Sequence, residues 1–462
     1  MLYCYNPFVL YFQNDDFVHI PLSAQGKLLQ HNFFRPICDL SIMLDYYLWG
    51  KTAWGFHFTN LLLHSIDSFF VFLLAKNVCR KYKVVYNFPF VYLTALLFFA
   101  YAMHSEAVFW ILGRSAELGV LFFLPSIIFY LKRNNKFYFF ASILCMLLSW
   151  LSYESTWVLV FIIIIISLAD IRLQLTVFTK ELRFVGFVLI AFFIYLVIRF
   201  YFIKQIAGSY EASAFYQFNI PVLTEHFFKS MIRSWLPYMQ NSAALLFFSG
   251  IVFLALVLLF FKTKNKSFKI AFLVLCGCWL ISLTPFASFG VDTKGTEGER
   301  FLYLPSIFIC MIIVLLISKI SNNYARNLIF LAVISFQMFF LFKNKFNNQF
   351  AGELTKAVIN EVAKLHNKHI IYFKGVPQTQ MGAGIFRIGL PEGTQWLIEP
   401  ETQSSIVICS ERSETLPLKN PYKVEFKNQE IFDCNSRKIE DTSNVVFNFT
   451  DSALLIESST NF

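Results

Sequence analysis

Read along the chain, apolar residues do not alternate with polar ones but gather into runs near 56–76, 89–103, 116–131, 137–152, 156–169, 184–203, 240–261, 270–289, 301–320 and 327–343. Each run approaches or meets the roughly 20 residues a helix needs to cross a bilayer, so a spanning helix is expected at each. Residues 1–12, MLYCYNPFVLYF, are apolar but too short to span. They read as the outer end of a first helix or as a re-entrant segment, which brings the expected count to about 11. No cleavable leader pattern is visible there.

The polar connections alternate in charge. Lys and Arg gather in CRKYK, KRNNK, the stretch from Asp170 to Arg183, KTKNKSFK and SNNYARN. Between them fall QNDD, HSE, SYES, the long segment from Lys204 to Pro237, GVDTKGTEGER and the tail after Phe342. Basic connections stay on the cytosolic side of a membrane, which sets every acidic motif on the outer side. Beyond residue 343 the pattern changes: HIIYFKG, SSIVICS, YKVEFK and NVVFNF read as short strands, separated by turns such as PQTQMGAG and PEGTQW. The expected fold is therefore a polytopic α-helical membrane protein over residues 1–343 with a small β-rich extramembrane domain at 344–462. Cys409 and Cys434 are the tail's only cysteines and can bridge on an oxidising face, a pairing that spacing alone does not decide. The other seven read as small apolar residues.

Composition agrees with the pattern. The 462 residues are 57% hydrophobic, include 58 Phe and are only 15% charged, which excludes an ordinary soluble domain. A net charge of +10 invites a nucleic-acid partner, but the cations are dispersed in short clusters between apolar runs, the arrangement that orients membrane helices. Nucleic acid is excluded on that ground, and membrane lipid is the expected surrounding. The Phe, Ile, Lys and Asn bias points to a bacterial inner membrane with an outward-facing site, or to a lumen-facing one in the endoplasmic reticulum of a eukaryote.

The candidate chemistry lies on the outer side. QNDDFVHI, residues 13–20, sets two adjacent carboxylates beside an apolar segment, where charge is costly; the pair is either functional or a boundary marker. The loop from Asp15 to Lys51 contains HNFFRPICDLSIMLDYYLWG, which reads as a helix along the interface able to roof a cavity. In GFHFTNLLLHSIDSFF, the spacing puts Asn60, His64 and Asp67 on one helix face, for interhelical hydrogen bonds or a proton relay. HSEAVFWILGRSAELG brings His104, Glu106 and Arg114 to a helix end. The planar fork of Arg suits a phosphate, the plainer reading being a solvated loop with Trp110 in an aromatic belt. Asp, Glu and His together can hold a divalent cation, yet no spacing is diagnostic, so no metal ligand is assigned and no cofactor is required.

The ordered stretches FRPICDLSIMLDYYLWGKTAWGFHFTNLLLHS, MHSEAVFWILGRSAELG and ERFLYLPSIFIC, after an acidic pair, resemble the transmembrane O-mannosyltransferases that in animals carry tetratricopeptide repeats, and their bacterial relatives. That family belongs to the GT-C glycosyltransferases, and the resemblance covers residues from about 13 to 310. It implies that Asp15 is the general base with Asp16 as a supporting acid. It implies substrate-binding roles for Arg35 beside Pro36, for His57 and Asn60, for His104, Glu106 and Arg114, and for Arg300 and Tyr303 ahead of Pro305. The sequence departs from the family where Tyr101 and Ala102 stand in place of a usual His-Pro and where Phe301 replaces Tyr or Val. No helical repeat of about 34 residues follows the membrane part, so the acceptor preference of repeat-bearing members does not transfer.

The chemistry suits the residues. A sugar on a polyprenyl phosphate already carries a leaving group, so the protein must take a proton from an acceptor hydroxyl and neutralise the departing phosphate. Asp15 can do the first, Arg114 and Arg300 the second, with inversion at the sugar carbon. The expected activity is transfer of a hexose, mannose by the resemblance, from a polyprenyl-phosphate donor to a protein Ser/Thr or glycolipid hydroxyl on the outer face. A lipid-glycan or cell-envelope polysaccharide transferase or polymerase is the alternative enzyme. A transporter would be expected to show repeated halves with broken helices, and no convincing internal repeat is found, while a non-enzymatic scaffold would tolerate loss of the acidic pair.

Overall fold

The computed structural model describes residues 5–27, 33–84, 89–204, 219–365, 370–398, 404–412, 418 and 422–459. Two short helices come first, α1 (Asp16–Ala24) and α2 (Pro36–Trp49). Then follow α3 (Ala53–Lys81), α4 (Phe90–Phe99), α5 (Ser105–Phe109), α6 (Arg114–Tyr130), α7 (Lys136–Ser152), α8 (Leu159–Arg172) and α9 (Phe178–Ile203). An amphipathic helix, α10 (Ile220–Arg233), leads into α11 (Ser242–Lys262), α12 (Lys266–Leu283), α13 (Tyr303–Ile317) and the long α14 (Asn323–Lys364).

Each apolar run named above coincides with one of these helices, because a backbone in hydrocarbon must satisfy its hydrogen bonds within its own segment. Among the described residues, seven helical stretches are long and apolar enough to cross a membrane, or eight if the bent α4–α5 pair is one span; Lys136–Ser152 and Ser242–Ile251 are shorter apolar helices. The chain is thus a multi-pass membrane protein, with fewer qualifying spans than the 11 or so read from the pattern. The N-terminal segment explains part of the difference. From Tyr5 to Gln13 it folds as a 3₁₀ turn, Pro7–Val9, followed by a non-helical run ending in the buried Phe12, and not as the end of a helix. Residues 1–4 of that segment, 28–32 of the first loop, and 205–218 of the Lys204–Pro237 segment lie outside the described residues.

The two families of connections stay apart. Lys81 and Arg133 both pair with Asp170, and Arg133 also pairs with Glu181, which ties three basic connections together. At the other end Arg35 pairs with Glu154, Arg300 with Glu106 and Arg387 with Glu297, all from the acidic set or the tail. No ion pair among the described residues joins one set to the other.

The break between α4 and α5 bends the pair by 49°. Its freed backbone groups are met by α14, where Gln337 Oε1 accepts from Ala102 N–H at 3.1 Å and Asn344 Nδ2 donates to Ala102 O at 3.3 Å. Polar side chains from a neighbouring helix are what lets a broken helix persist at this depth. α14 itself runs without interruption through residue 343 into the tail. Its second half buries Phe350, Leu354, Val358 and Val362 against the sheet, so the membrane helix and the tail share one rigid element.

The tail contains β1 (Ile370–Lys374), β2 (Val376–Pro377), β3 (Thr379–Gln380), β4 (Ala383–Gly384), α15 (Leu390–Leu397), β5 (Ser405–Ile408), β6 (Glu411–Arg412), β7 (Lys423–Asn428), β8 (Val445–Phe449) and β9 (Ala453–Ser458). The main sheet has the order β5-β1-β8-β9-β7, parallel except for the β8–β9 pair. All four stretches read as strands are strands, but PEGTQW is not a turn. It forms most of α15, which Gly389 enters at φ 92° and which Pro391 suits by standing in the first turn, where its missing N–H costs nothing. Cys409 and Cys434 are disulfide-bonded. The tail does not fold around a core of its own: Phe12, Phe17, Ile20 and Phe56 share one apolar cluster with Ile371, Phe447, Leu454 and Phe386.

Candidate active site

The acidic pair sits where this shared cluster meets the acidic connections. Asn14 adopts a left-handed backbone, φ 52°, which Asn tolerates better than most residues, and turns the chain into α1. Asp15 is the N-cap of α1 and Asp16 its first residue. Asp16 is fully buried, and its Oδ2 accepts from Gln13 N–H at 3.0 Å, so it braces the turn that presents Asp15. Burial pushes the Asp16 carboxyl well above the usual Asp range, with the neighbouring Asp15 adding to it. Asp15 is half-buried and also raised by burial, but the Arg300 and Arg387 guanidinium groups pull it back down. Its Oδ1 has no hydrogen-bond partner among the described residues.

Asp15 lines a cavity of about 180 Å³ with Glu106, Trp110, Glu297, Arg300, Asn348 and Arg387. Four parts of the chain build it. The α5 end contributes Glu106, which accepts from the backbone N–H of Arg300 at 2.9 Å and pairs with its guanidinium. The loop before α13 contributes Glu297 and Arg300, and is anchored from beneath by Arg233: its Nη2 reaches Glu299 at 2.5 Å with both side chains fully buried, and its Nε donates to Asp292 O at 2.8 Å. The tail contributes the β3–β4 hairpin, whose Met381 O accepts from Thr296 N–H at 3.0 Å, and then Arg387, which pairs with Glu297 at 2.7 Å. α14 contributes Asn348, whose carbonyl accepts from Gln13 Nε2 at 3.0 Å.

Two further spaces lie along α10. A cleft of about 460 Å³ shares Arg300 and Glu297 with the first cavity and adds His226 and Lys229 from α10. On another face of α10, Phe228 and Met231, with Trp235 just past the helix end, line an apolar groove of about 700 Å³ against α11 and α12.

Of the residues singled out in the sequence, the structure brings Asp15, Glu106 and Arg300 to one cavity and Asp16 just behind it. The others lie elsewhere. Arg35, at the start of α2, forms a two-pronged pair with Glu154 and lies over the Phe33 and Tyr153 rings. His57 meets Tyr11 O at 3.2 Å. Asn60 accepts from Arg114 Nε at 2.7 Å and donates to Trp110 O at 3.1 Å. Arg114 is fully buried, with Asp45 at 2.6 Å and bonds to Phe56 O and Ser41, so the fork read as a phosphate grip instead bolts α2 and α3 to α6. His64 and Asp67 meet the Tyr303 hydroxyl, each at 2.8 Å, and His104 reaches Ser306 Oγ at 2.7 Å, deep among the helices. The Asn60, His64 and Asp67 face therefore serves interhelical bonding. No group of three or more His, Cys, Asp or Glu among the described residues could hold a metal ion.

Sequence reasoning missed Arg233, Glu297, Asn348 and Arg387. Arg233 ends an amphipathic helix within a segment read only as a long outer loop, and Arg387 is a lone charge after GAGIF; neither had a motif to mark it.

The fold and site thus define a multi-pass membrane protein with a polar cavity at the end of the molecule that carries the acidic connections, roofed by its own tail. Among curated proteins, the chain is 34% identical over 119 residues to protein O-mannosyl-transferase tmtc2 of Xenopus laevis, covering 26% of this chain and 13% of that relative. It is 37% identical over 106 residues to protein O-mannosyl-transferase TMTC1 of Mus musculus, covering 23% and 11%. It is 22% identical over 323 residues to protein O-mannosyl-transferase F38B6.6 of Caenorhabditis elegans, covering 64% and 44%. The chain is therefore similar to the O-mannosyltransferases, as its ordered motifs imply, while spanning less than half the length of each of these relatives. No family model matches. The crystal structure of ArnT from Cupriavidus metallidurans in the apo state aligns over 88% of this chain and 83% of that one at 10% identity, with a TM-score of 0.49, a likeness too weak to carry an inference.

Proposed function

We propose that the chain is a membrane glycosyltransferase of the GT-C kind, moving a hexose, mannose by its similarity to the named relatives, from a polyprenyl-phosphate donor to an acceptor hydroxyl. The observation that carries this reading is Asp15, a carboxylate with an unpartnered oxygen, on a cavity that also holds Arg300 and Arg387. The two spaces along α10 suit the rest of a lipid-linked donor. The apolar groove behind α10 suits the polyprenyl tail, the cleft with His226, Lys229 and Arg300 suits the phosphate, and the Asp15 cavity suits the sugar and acceptor.

In the reaction, Asp15 takes the acceptor's hydroxyl proton as that oxygen attacks the sugar's anomeric carbon. The bond from that carbon to the phosphate oxygen breaks, and polyprenyl phosphate leaves with both electrons, its charge met by Arg300 and Lys229. Attack opposite the phosphate inverts the carbon. Asp16 holds the turn and touches no reactant. By the positive-inside rule the cavity and the tail from residue 344 face outward, and α7 and α11 cross the membrane with the longer helices. A protein Ser or Thr hydroxyl is the acceptor the relatives' names favour; a lipid-linked glycan is the competing one.

Asp15→Asn tests the reading, because an amide keeps the shape but takes no proton at working pH. Transfer from a polyprenyl-phosphate sugar should fall about a hundredfold to ten-thousandfold with membrane insertion unchanged. A rate within a few fold of wild type, at normal abundance, would sink it. Mass analysis of glycoproteins and lipid-linked glycans with and without the gene assigns the acceptor.

A further inference from the structure

The opposite, basic end of the molecule holds a cavity that the transfer reaction does not use. It has a volume of about 470 Å³ and lies between the start of α7 and the start of α9. Its polar rim carries Lys136, Lys180 and Arg183, all exposed, and no carboxylate among the described residues forms an ion pair with any of them. Arg133 is present too, but it is committed to Asp170 and Glu181 and so holds the walls together. Below the rim the lining turns apolar, with Phe140 and Phe187 exposed along the helices at 62% and 40%. Both helices begin at the rim, where the positive end of each helix dipole adds to the potential, although Asn135 Oδ1 caps Phe137 N–H in the first.

We propose that this cavity binds a membrane phospholipid with a net negative headgroup. Its phosphate sits among Lys136, Lys180 and Arg183, and its acyl chains run down past Phe140 and Phe187. Charge complementarity selects the occupant: three cations without an ion pair line the rim, while the lining's one carboxylate, Glu181, is already taken by Arg133 and the Tyr130 hydroxyl. The aromatic wall beneath them requires an apolar extension that a soluble anion lacks. The side also fits, because the cavity opens among the basic connections, which face the leaflet richest in anionic lipid.

The full chain, purified in detergent, is titrated with short-chain phosphatidylglycerol, phosphatidylcholine and inorganic phosphate. Bound lipid is followed by native mass spectrometry and the shift in thermal unfolding. Phosphatidylglycerol should bind and stabilise, and the other two should not. Lys136→Gln/Lys180→Gln/Arg183→Gln should weaken phosphatidylglycerol binding by about a hundredfold at low salt, each basic residue near an anionic surface being worth roughly fivefold. Lys264→Gln/Lys266→Gln, on the neighbouring basic connection, should change it little. Equal binding of phosphatidylcholine would leave only apolar contact, and equal protection by inorganic phosphate would make this a free-anion site. Unchanged affinity in the triple variant would place the lipid elsewhere, and an equal loss in the control would make the effect diffuse; any of these overturns the proposal. Should the triple variant fail to fold, Lys180→Gln alone must still show roughly the fivefold loss.

Discussion

Ile388 donates its backbone N–H to Asn14 Oδ1 at 3.1 Å across 374 positions of sequence, and Asn14 N–H in turn reaches Ile385 O at 3.1 Å. The residue immediately before the acidic pair is thus held by the far tail. Whatever moves the hairpin over Asn14 moves Asp15, so the tail belongs to the architecture of the candidate site.

The first consequence concerns pH. In the proposed role of base Asp15 must be ionised, and burial raises its pKa while Arg300 and Arg387 lower it. The rate should therefore fall on the acid side, through a pKa above the ordinary 3.8. Arg387→Gln removes one lowering influence, so the acid limb should move to higher pH. A pH–rate profile of kcat/KM checks this; an unmoved limb would separate Arg387 from the base.

Gly382 tests the hairpin itself. Its φ is +92°, and an added Cβ would stand 2.5 Å from Thr296 N and 2.6 Å from Glu297 N, backbone atoms that cannot yield cheaply. Gly382→Ala should strain the contact by about 1–3 kcal/mol and depress transfer while leaving insertion intact. Gly26→Ala shares a positive φ, +70°, but meets nothing within 4 Å, and serves as the control. Activity assays on membranes matched for abundance compare the two.

For Arg114 the expected loss is of stability before chemistry. Arg114→Met leaves Asp45 buried without its cation, which typically costs about 3–5 kcal/mol. Abundance and thermal stability should drop, and Asp45→Asn/Arg114→Met should recover part of the loss. A stable Arg114→Met protein with weakened donor affinity would return Arg114 to a substrate-binding role.

The Cys409–Cys434 bond closes a loop across 25 positions and precedes β6, which pairs with β2 just ahead of the hairpin. Cys409→Ser should lower tail stability by about 3 kcal/mol in the chain-entropy account. Limited proteolysis of the tail with and without reductant measures it.

Sidedness is open to direct labelling. In a chain otherwise free of reactive thiols, Lys264→Cys should react with an impermeant reagent only after lysis, and a cysteine at the exposed Lys438 should react on intact cells. Reaction of the first before lysis would invert the assignment.

What the sequence alone determined is what depends on local composition. Bilayer hydrocarbon imposes its demand on each segment separately, so every long apolar run could be read as a helix, and the alternating charge of the connections anticipated which loops the ion pairs would later join. The strands of the tail were legible for the same reason, from alternation within a few residues; α15 was not, because LPEGTQWL carries Pro and Gly that normally announce a turn. The ordered motifs marked Asp15, Glu106 and Arg300, which the fold brings to one cavity, yet they also marked Arg114, whose fate depends on Asp45 and Asn60 arriving from two other helices. Only tertiary structure decided that difference: a guanidinium looks the same in sequence whether its partners are protein or substrate. Arg387 and the hairpin above Asp15 were equally out of reach. Their meeting with Asn14 is fixed by α14, which carries the chain unbroken from the membrane to the tail, and by Phe17 packing against Phe386, contacts between parts of the chain too far apart for any sequence pattern to link.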